Sequence, residues 1–254
     1  MNHIFDSHAH YDDEAFDTDR DALLTALPEQ GVACVIDCGC SERSCASALK
    51  LAERYAYIYA ACGIHPEDCE AFGDVSTLRE RLLPFLRHEK CVAVGEIGLD
   101  YHWDINKPTQ FAFFEAQLAL AAECGKPVII HDREAHGDTM ELLRRYKPQG
   151  VLHCFSGSAE MAREAVKLGM YIGFGGAITF KNARKPLEAA AAVPLDRLLL
   201  ETDCPYMAPV PHRGKRCDSS MIPLAAEKLA EIHNVSAQEM LDITCRNAKQ
   251  LFAL

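Results

Sequence analysis

The chain has 254 residues, 49% of them hydrophobic and 25% charged, with a formal net charge of -11. This is the composition of a globular protein that buries a large core, and it excludes a protein that coats nucleic acid through a broad basic surface. The start, MNHIFDSHAH, lacks the basic and apolar regions of a secretory signal, and no apolar run approaches the length of a bilayer span. A cytoplasmic, monomeric protein with a single domain over residues 1–254 is expected. Its twelve cysteines are expected to be reduced thiols buried as small hydrophobes, the group Cys34, Cys38 and Cys40 included.

In chain order, eight short apolar runs are predicted as strands: His3–His8, Val32–Cys38, Tyr57–Cys62, Cys91–Glu96, Val128–His131, Val151–His153, Met170–Phe174 and Arg197–Glu201. Helical spacing of apolar residues predicts helices over Asp17–Leu27, Glu42–Tyr55, Pro108–Cys124, Ala159–Leu168 and Ala237–Phe252, with Ser41 and Ser158 as N-caps. Eight strands alternating with helices predict a (β/α)8 TIM barrel. An open doubly wound sheet is the alternative, but no glycine-rich dinucleotide fingerprint follows the first strand.

Strong ligand types recur where these runs end, and in a barrel those ends form one rim. Asp6-Ser7-His8-Ala9-His10 sets Asp6, His8 and His10 on one side of a strand, so two imidazoles can share an ion with Asp6 in support. Glu96 follows an almost wholly apolar strand; buried and unpaired it would be costly, and a cation would remove that cost, its two oxygens suiting it to bridge two ions. Asp100 and His102 lie in the loop beyond and can either face substrate or structure the loop. His131 and His153 each end a strand, and although a lone buried histidine is commonly a satisfied core residue, two on the same rim point to ligands. Arg133 offers a planar fork for a phosphate or carboxylate. Glu201 and Asp203 share a face if the last strand persists; Asp203 is read as ligand and proton acceptor and Glu201 as orienting a ligand imidazole, an assignment the spacing alone does not force. His212-Arg213-Gly214-Lys215-Arg216 is either a phosphate site or a solvated charged loop.

The chain resembles the TatD-type metal-dependent deoxyribonucleases of the amidohydrolase superfamily, through Ile4–His10, Gly63-Ile64-His65-Pro66, Gly95–Tyr101, Pro127–Ala135, His153–Gly157 and Leu200–Pro205. The resemblance implies that His8, His10 and Asp203 hold one divalent ion and His131 and His153 a second, with Glu96 bridging. It also implies that His65, Arg133, Arg213 and Arg216 lie near the substrate, a DNA strand processed from its 3′ end. The implied chemistry is phosphodiester hydrolysis by two-metal activation of water, with nucleic acid as substrate rather than stable partner, RNA included. Mixed nitrogen and oxygen ligation admits zinc, manganese, iron, nickel or magnesium. Where family members commonly continue with Asn-Glu-Pro, this chain has Cys217-Asp218-Ser219, a departure that bears on substrate preference and not on the metal chemistry. The rival readings are an amide, ester or lactone hydrolase or a D-aminoacyl-tRNA deacylase of the same superfamily, and a non-catalytic metal-binding scaffold.

Overall fold

The computed structural model describes residues 1–254. Its eight strands are β1 (Ile4–Ala9), β2 (Val32–Gly39), β3 (Ile58–Cys62), β4 (Cys91–Asp100), β5 (Val128–Arg133), β6 (Gly150–Leu152), β7 (Tyr171–Phe174) and β8 (Leu198–Leu200). They pair in parallel in sequence order. The ring closes just beyond β8, where the Asp203 amide donates to the His8 carbonyl (3.0 Å) and the His10 amide to the Cys204 carbonyl (2.8 Å). The architecture is the (β/α)8 TIM barrel expected from the alternation of elements. No helix is long and apolar enough to cross a membrane.

The five expected helices form as α1 (Arg20–Ala26), α2 (Glu42–Arg54), α5 (Lys107–Cys124), α7 (Ala159–Lys167) and α10 (Ala237–Phe252). Ser41 and Ser158 cap α2 and α7, accepting from the Ser44 and Met161 amides, which satisfies amides that the first turn leaves without a partner. Five further helices complete the outer layer: α3 (Cys69–Phe72), α4 (Leu78–Leu86), α6 (His136–Tyr146), α8 (Arg184–Ala192) and α9 (Ile222–His233). All twelve cysteines are free, as expected, and nine of them are buried.

Each strand contributes to one interior cluster, through Phe5, Ile36, Ala61, Ala93, Ile129, Val151, Tyr171 and Leu199. Leu251 and Phe252 of α10 join it, Phe252 lying parallel to Phe5 at 6.2 Å. The polar cluster sits at the other end, where the strands terminate. Two irregularities shape that end. The β1–β2 register slips between Asp6 and Ala9, and the β4–β5 register between Val94 and Ile97; such slips re-aim side chains beside functional sites. The expectation that Asp6 shares a side with His8 and His10 fails for this reason: Asp6 turns to Thr202 and Ser219 instead. Likewise β4 runs on to Asp100, so Glu96 stands within the strand rather than at its end.

Gly98 makes this arrangement possible. Its φ is +145°, and a Cβ there would lie 1.9 Å from the His131 carbonyl oxygen. Only glycine lets β4 approach β5 so closely at the histidine. Gly98→Ala is expected to cost about 2–4 kcal/mol and lower Tm by roughly 5–15 °C. Thermal denaturation by circular dichroism checks this, and an unchanged Tm would contradict the steric argument.

Candidate metal centre

Glu96 is almost fully buried, 3% exposed, and its two oxygens face two different sets of donors. Its Oε2 lies 3.3 Å from His8 Nε2 and 3.5 Å from His10 Nε2. Its Oε1 lies 2.9 Å from His131 Nδ1, 2.8 Å from His153 Nε2 and 3.6 Å from His65 Nε2. Asp203 Oδ1 closes the first set, 3.6 Å from His8 Nε2 and 3.4 Å from His10 Nε2, which are themselves 3.0 Å apart. The side chains come from β1, β4, β5 and the ends of β6 and β8, so the barrel brings together all six residues singled out in the sequence.

Asp203 reaches this point by a different route from the one expected. β8 ends at Leu200, and strand alternation does not extend to Asp203. Instead Asp203 adopts a left-handed backbone, φ +60°, an uncommon conformation that aspartate tolerates better than most residues. Asp6 holds the same segment in place: its carboxylate accepts from the Thr202 amide (3.0 Å) and hydroxyl (2.6 Å) and from the Ser219 hydroxyl (2.7 Å). Asp6 therefore supports the seam of the barrel and orients no imidazole.

For His10, His131 and His65, hydrogen bonds outside the cluster fix whether the inward-pointing nitrogen carries a lone pair. A carbonyl only accepts, so His10 Nδ1, 2.8 Å from the Cys38 oxygen, carries the proton and Nε2 does not. His131 Nε2 donates to Asp100 Oδ2 at 3.0 Å, leaving Nδ1 as its free acceptor, 3.3 Å from His153 Nε2. Asp100 thus acts on His131, while its other oxygen accepts the His102 amide (2.9 Å) and so also structures the loop. His65 is the exception: Nδ1 accepts from the Glu67 amide, so Nε2–H points inward as a donor. Burial drives the His65 imidazole down to about 3, and it is a neutral hydrogen-bond donor rather than a ligand.

The acceptor nitrogens of His10 and His131 face the Glu96 and Asp203 carboxylate oxygens at 2.9–3.5 Å, and such lone pairs repel unless positive charge lies between them. The charge balance says the same: burial opposes a charge on His10, yet Asp203 and Glu96 overcome it and lift the imidazole to about 10. His131 is raised to about 9 against burial by Asp100 and Glu96. A cation with nitrogen and oxygen donors at about 2.0–2.1 Å spaces them roughly 3.3–3.4 Å apart in a tetrahedron, close to the separations found here. The donor set fits divalent metal.

The sequence matches the profile of the TatD related DNase family over residues 5–253. The chain belongs to this family. It is 42% identical over 257 residues to the uncharacterized metal-dependent hydrolase YabD of Bacillus subtilis, covering 99% of both chains. It is 38% identical over 249 residues to the 3'-5' ssDNA/RNA exonuclease TatD of Edwardsiella piscicida, covering 94% of this chain and 95% of that one. The crystal structure of YjjV, a TatD homologue from Escherichia coli K12, superposes with a TM-score of 0.92 at 34% identity, over 99% of this chain and 98% of that one. This TatD-family protein is a metal-dependent hydrolase.

The cluster lies at the base of an open cavity of about 660 Å³ lined by His10, Glu96, His131, His153 and Asp203 together with His65, Asp100 and Arg133. Arg133 is the sole arginine or lysine of the lining. Arg213 and Arg216 do not reach it: Arg216 forms a two-point ion pair with Asp19 (2.7 and 2.6 Å), and Arg213 lies over the Phe180 ring at 4.5 Å. His102 is outside the lining and pairs with Glu134 at 3.0 Å. Glu201 lies 3.7 Å from His153 Nδ1, too far for a hydrogen bond, and accepts the Cys154 amide instead; the orienting role expected of it is not made through a bond. Cys40, expected to be buried as a small hydrophobe, is instead half-buried in the lining with Sγ 3.6 Å from Glu96 Oε2. Sequence reading overlooked Asp12, Asp13, Glu67, Asp68, Trp103 and Tyr206, all of which line the cavity. These are loop residues without periodicity, and no spacing signal marks them.

Asp100→Asn removes the carboxylate that fixes the His131 tautomer, and metal affinity is expected to fall about 10–100-fold. Competition with a fluorescent chelator measures this, and an affinity equal to the parent's would show that Asp100 does not position the imidazole.

Proposed function

We propose that this TatD-family protein is a two-metal phosphodiesterase that hydrolyses DNA, and RNA as well, from the 3′ end of single strands. The observation that carries the reading is the division of labour on Glu96, with one oxygen toward His8 and His10 and the other toward His131 and His153. The exonuclease named in Edwardsiella piscicida, 38% identical over nearly the whole chain, supports the choice of substrate.

In this reading His8, His10 and Asp203 would hold one divalent ion and His131 and His153 the other, with Glu96 available to both sets through its two oxygens. Such a pair supplies Lewis acidity that polarises the phosphoryl oxygen and makes water a nucleophile near neutral pH. Asp203 takes the proton from the attacking water at its carboxylate and returns it to the leaving ester oxygen as the bond from phosphorus to that oxygen breaks. Its side chain is 21% accessible where that of Glu96 is 4%, so it is the carboxylate of the cluster that solvent reaches. His65 donates its inward Nε2–H to a non-bridging oxygen of the phosphodiester. Arg133, at the rim, meets the same group with its planar fork. Two divalent ions there would contribute four positive charges against the two negative ones of the ligand carboxylates, and the site would then favour the negative charge that develops on the phosphorus oxygens.

The test is product analysis on end-labelled DNA and RNA, single- and double-stranded, with the protein reconstituted in turn with zinc, manganese and magnesium. Shortening ladders from the 3′ end are expected, with Asp203→Asn about 10²–10⁴-fold slower. Release of no nucleotide together with cleavage of acyl substrates would replace the reading with an amide, ester or aminoacyl-tRNA hydrolase. Binding of metal without turnover of either class would leave a scaffold.

A further inference from the structure

Only five large hydrophobic side chains of this protein are strongly exposed, and the two aromatic ones, Trp103 (49%) and Tyr206 (57%), both line the metal-site cavity. Trp103 stands in the loop after β4 and Tyr206 in the loop after β8. In a closed ring of eight strands these two positions are diametrically opposed, so the rings flank the metal cluster from opposite sides of the mouth.

Both rings are braced without being covered. The Tyr206 hydroxyl donates to Asp13 Oδ2 at 3.1 Å, and its amide donates to the Asp203 carbonyl at 2.9 Å, tying it to a ligand residue. Trp103 has the His102 ring against its edge at 4.9 Å and the Arg133 guanidinium 5.7 Å from its centroid. Leaving apolar rings of this size in water has a cost, and their placement at the one cavity that holds the chemistry points to a planar partner.

Electrostatics narrows the partner further. Asp12, Asp13, Glu67 and Asp68 line the outer cavity, Arg133 is its one basic side chain, and Arg216 is committed to Asp19. Within the cavity no basic side chain besides Arg133 is present to hold a phosphate backbone, and the carboxylates repel one; in the groove adjoining Tyr206, Lys215 is the one cation besides the paired Arg216. Affinity for a strand must then come from the cluster, Arg133 and the bases themselves. Stacking of bases on aromatic rings is independent of sequence and requires the bases to be unpaired.

We propose that Trp103 and Tyr206 form a stacking clamp, each ring receiving the base of one of the two nucleotides that flank the scissile phosphate. The clamp selects frayed or single-stranded ends and makes grip on the last two bases the main source of affinity. With few phosphates neutralised outside the site, binding should depend only weakly on salt. This rests on the phosphodiesterase reading above, and the test separates the two.

Steady-state hydrolysis of pentathymidylate is compared with that of a strand of the same length whose two 3′-terminal residues carry abasic tetrahydrofuran in place of thymidine. The abasic strand is expected to have a KM about tenfold higher with a similar kcat. Trp103→Ala and Tyr206→Ala each raise KM for pentathymidylate by about the same factor and narrow the gap between substrates, while Trp103→Phe keeps most of the grip. A direct readout is available because Trp103 is the single tryptophan of the chain. Its fluorescence should be quenched by a phosphorothioate-linked pentathymidylate and not by the abasic counterpart. Equal KM values for the two strands, or unquenched fluorescence on saturation, would overturn the clamp and leave the phosphodiesterase reading intact. Hydrolysis of neither strand would overturn both.

Discussion

Everything in this molecule is arranged around a buried carboxylate that cannot stand alone. Glu96 is ringed by His8, His10, His65, His131 and His153, with no lysine or arginine among the partners of its oxygens. Burial opposes its ionisation, yet the imidazoles, His153 and His8 foremost, hold the carboxyl well below the usual range. Metal does this with less conflict than protons, because it satisfies the lone pairs of several imidazoles at once. Breaking a buried charge cluster by removing one partner is costly, since the remaining charges lose their compensation. The fold is therefore built to keep these side chains from relaxing apart.

Three devices achieve that. Register slips in β1 and β4 turn His8, His10 and Glu96 into the centre of the mouth. Gly98 brings β5 near enough to β4 for His131 to meet Glu96. Asp6 anchors the segment after β8 through Thr202, and with it Asp203. The link to Ser219 belongs to this chain's departure from the usual Asn-Glu-Pro run, and it places a hydroxyl where proline has none. Tyr11, wholly buried, shares the same hydroxyl at 2.7 Å and accepts the Ser219 amide at 2.8 Å. Ser219 thus supports the first strand from behind, and Cys217, Asp218 and Ser219 are all absent from the cavity lining.

Much of this was legible in the residues because it follows from period and position. Apolar runs of strand length, repeated eight times between helical stretches, leave few architectures, and a barrel converts residues at strand ends into neighbours. The helix Leu78–Leu86 was hidden by Pro84 in its interior, and Ile222–His233 follows a long loop with its own proline at the start. The role of Asp6 was unreadable because a register slip of one residue reverses which face a side chain joins. Arg213 and Arg216 were read as substrate contacts from the family resemblance and their place after the eighth strand; only tertiary structure shows that Asp19 neutralises one and that the other rests on Phe180.

In the proposed reading, the net charge of -11 and a polyanionic substrate are reconciled by how the charge is distributed. A protein that tracks along nucleic acid needs a basic surface, because affinity comes from releasing counterions along many phosphates. A protein that removes terminal nucleotides needs positive potential at one phosphate only, and a divalent cluster concentrates it there. In the proposed exonuclease reading, carboxylates around the mouth act in favour of specificity: they weaken the hold on phosphates away from the cluster, so that a strand is held by its end. The acidic rim of Asp12, Asp13, Glu67 and Asp68, the lone Arg133 and the two exposed rings are the parts that such a design requires. An endonuclease gripping the middle of a duplex would need the opposite surface.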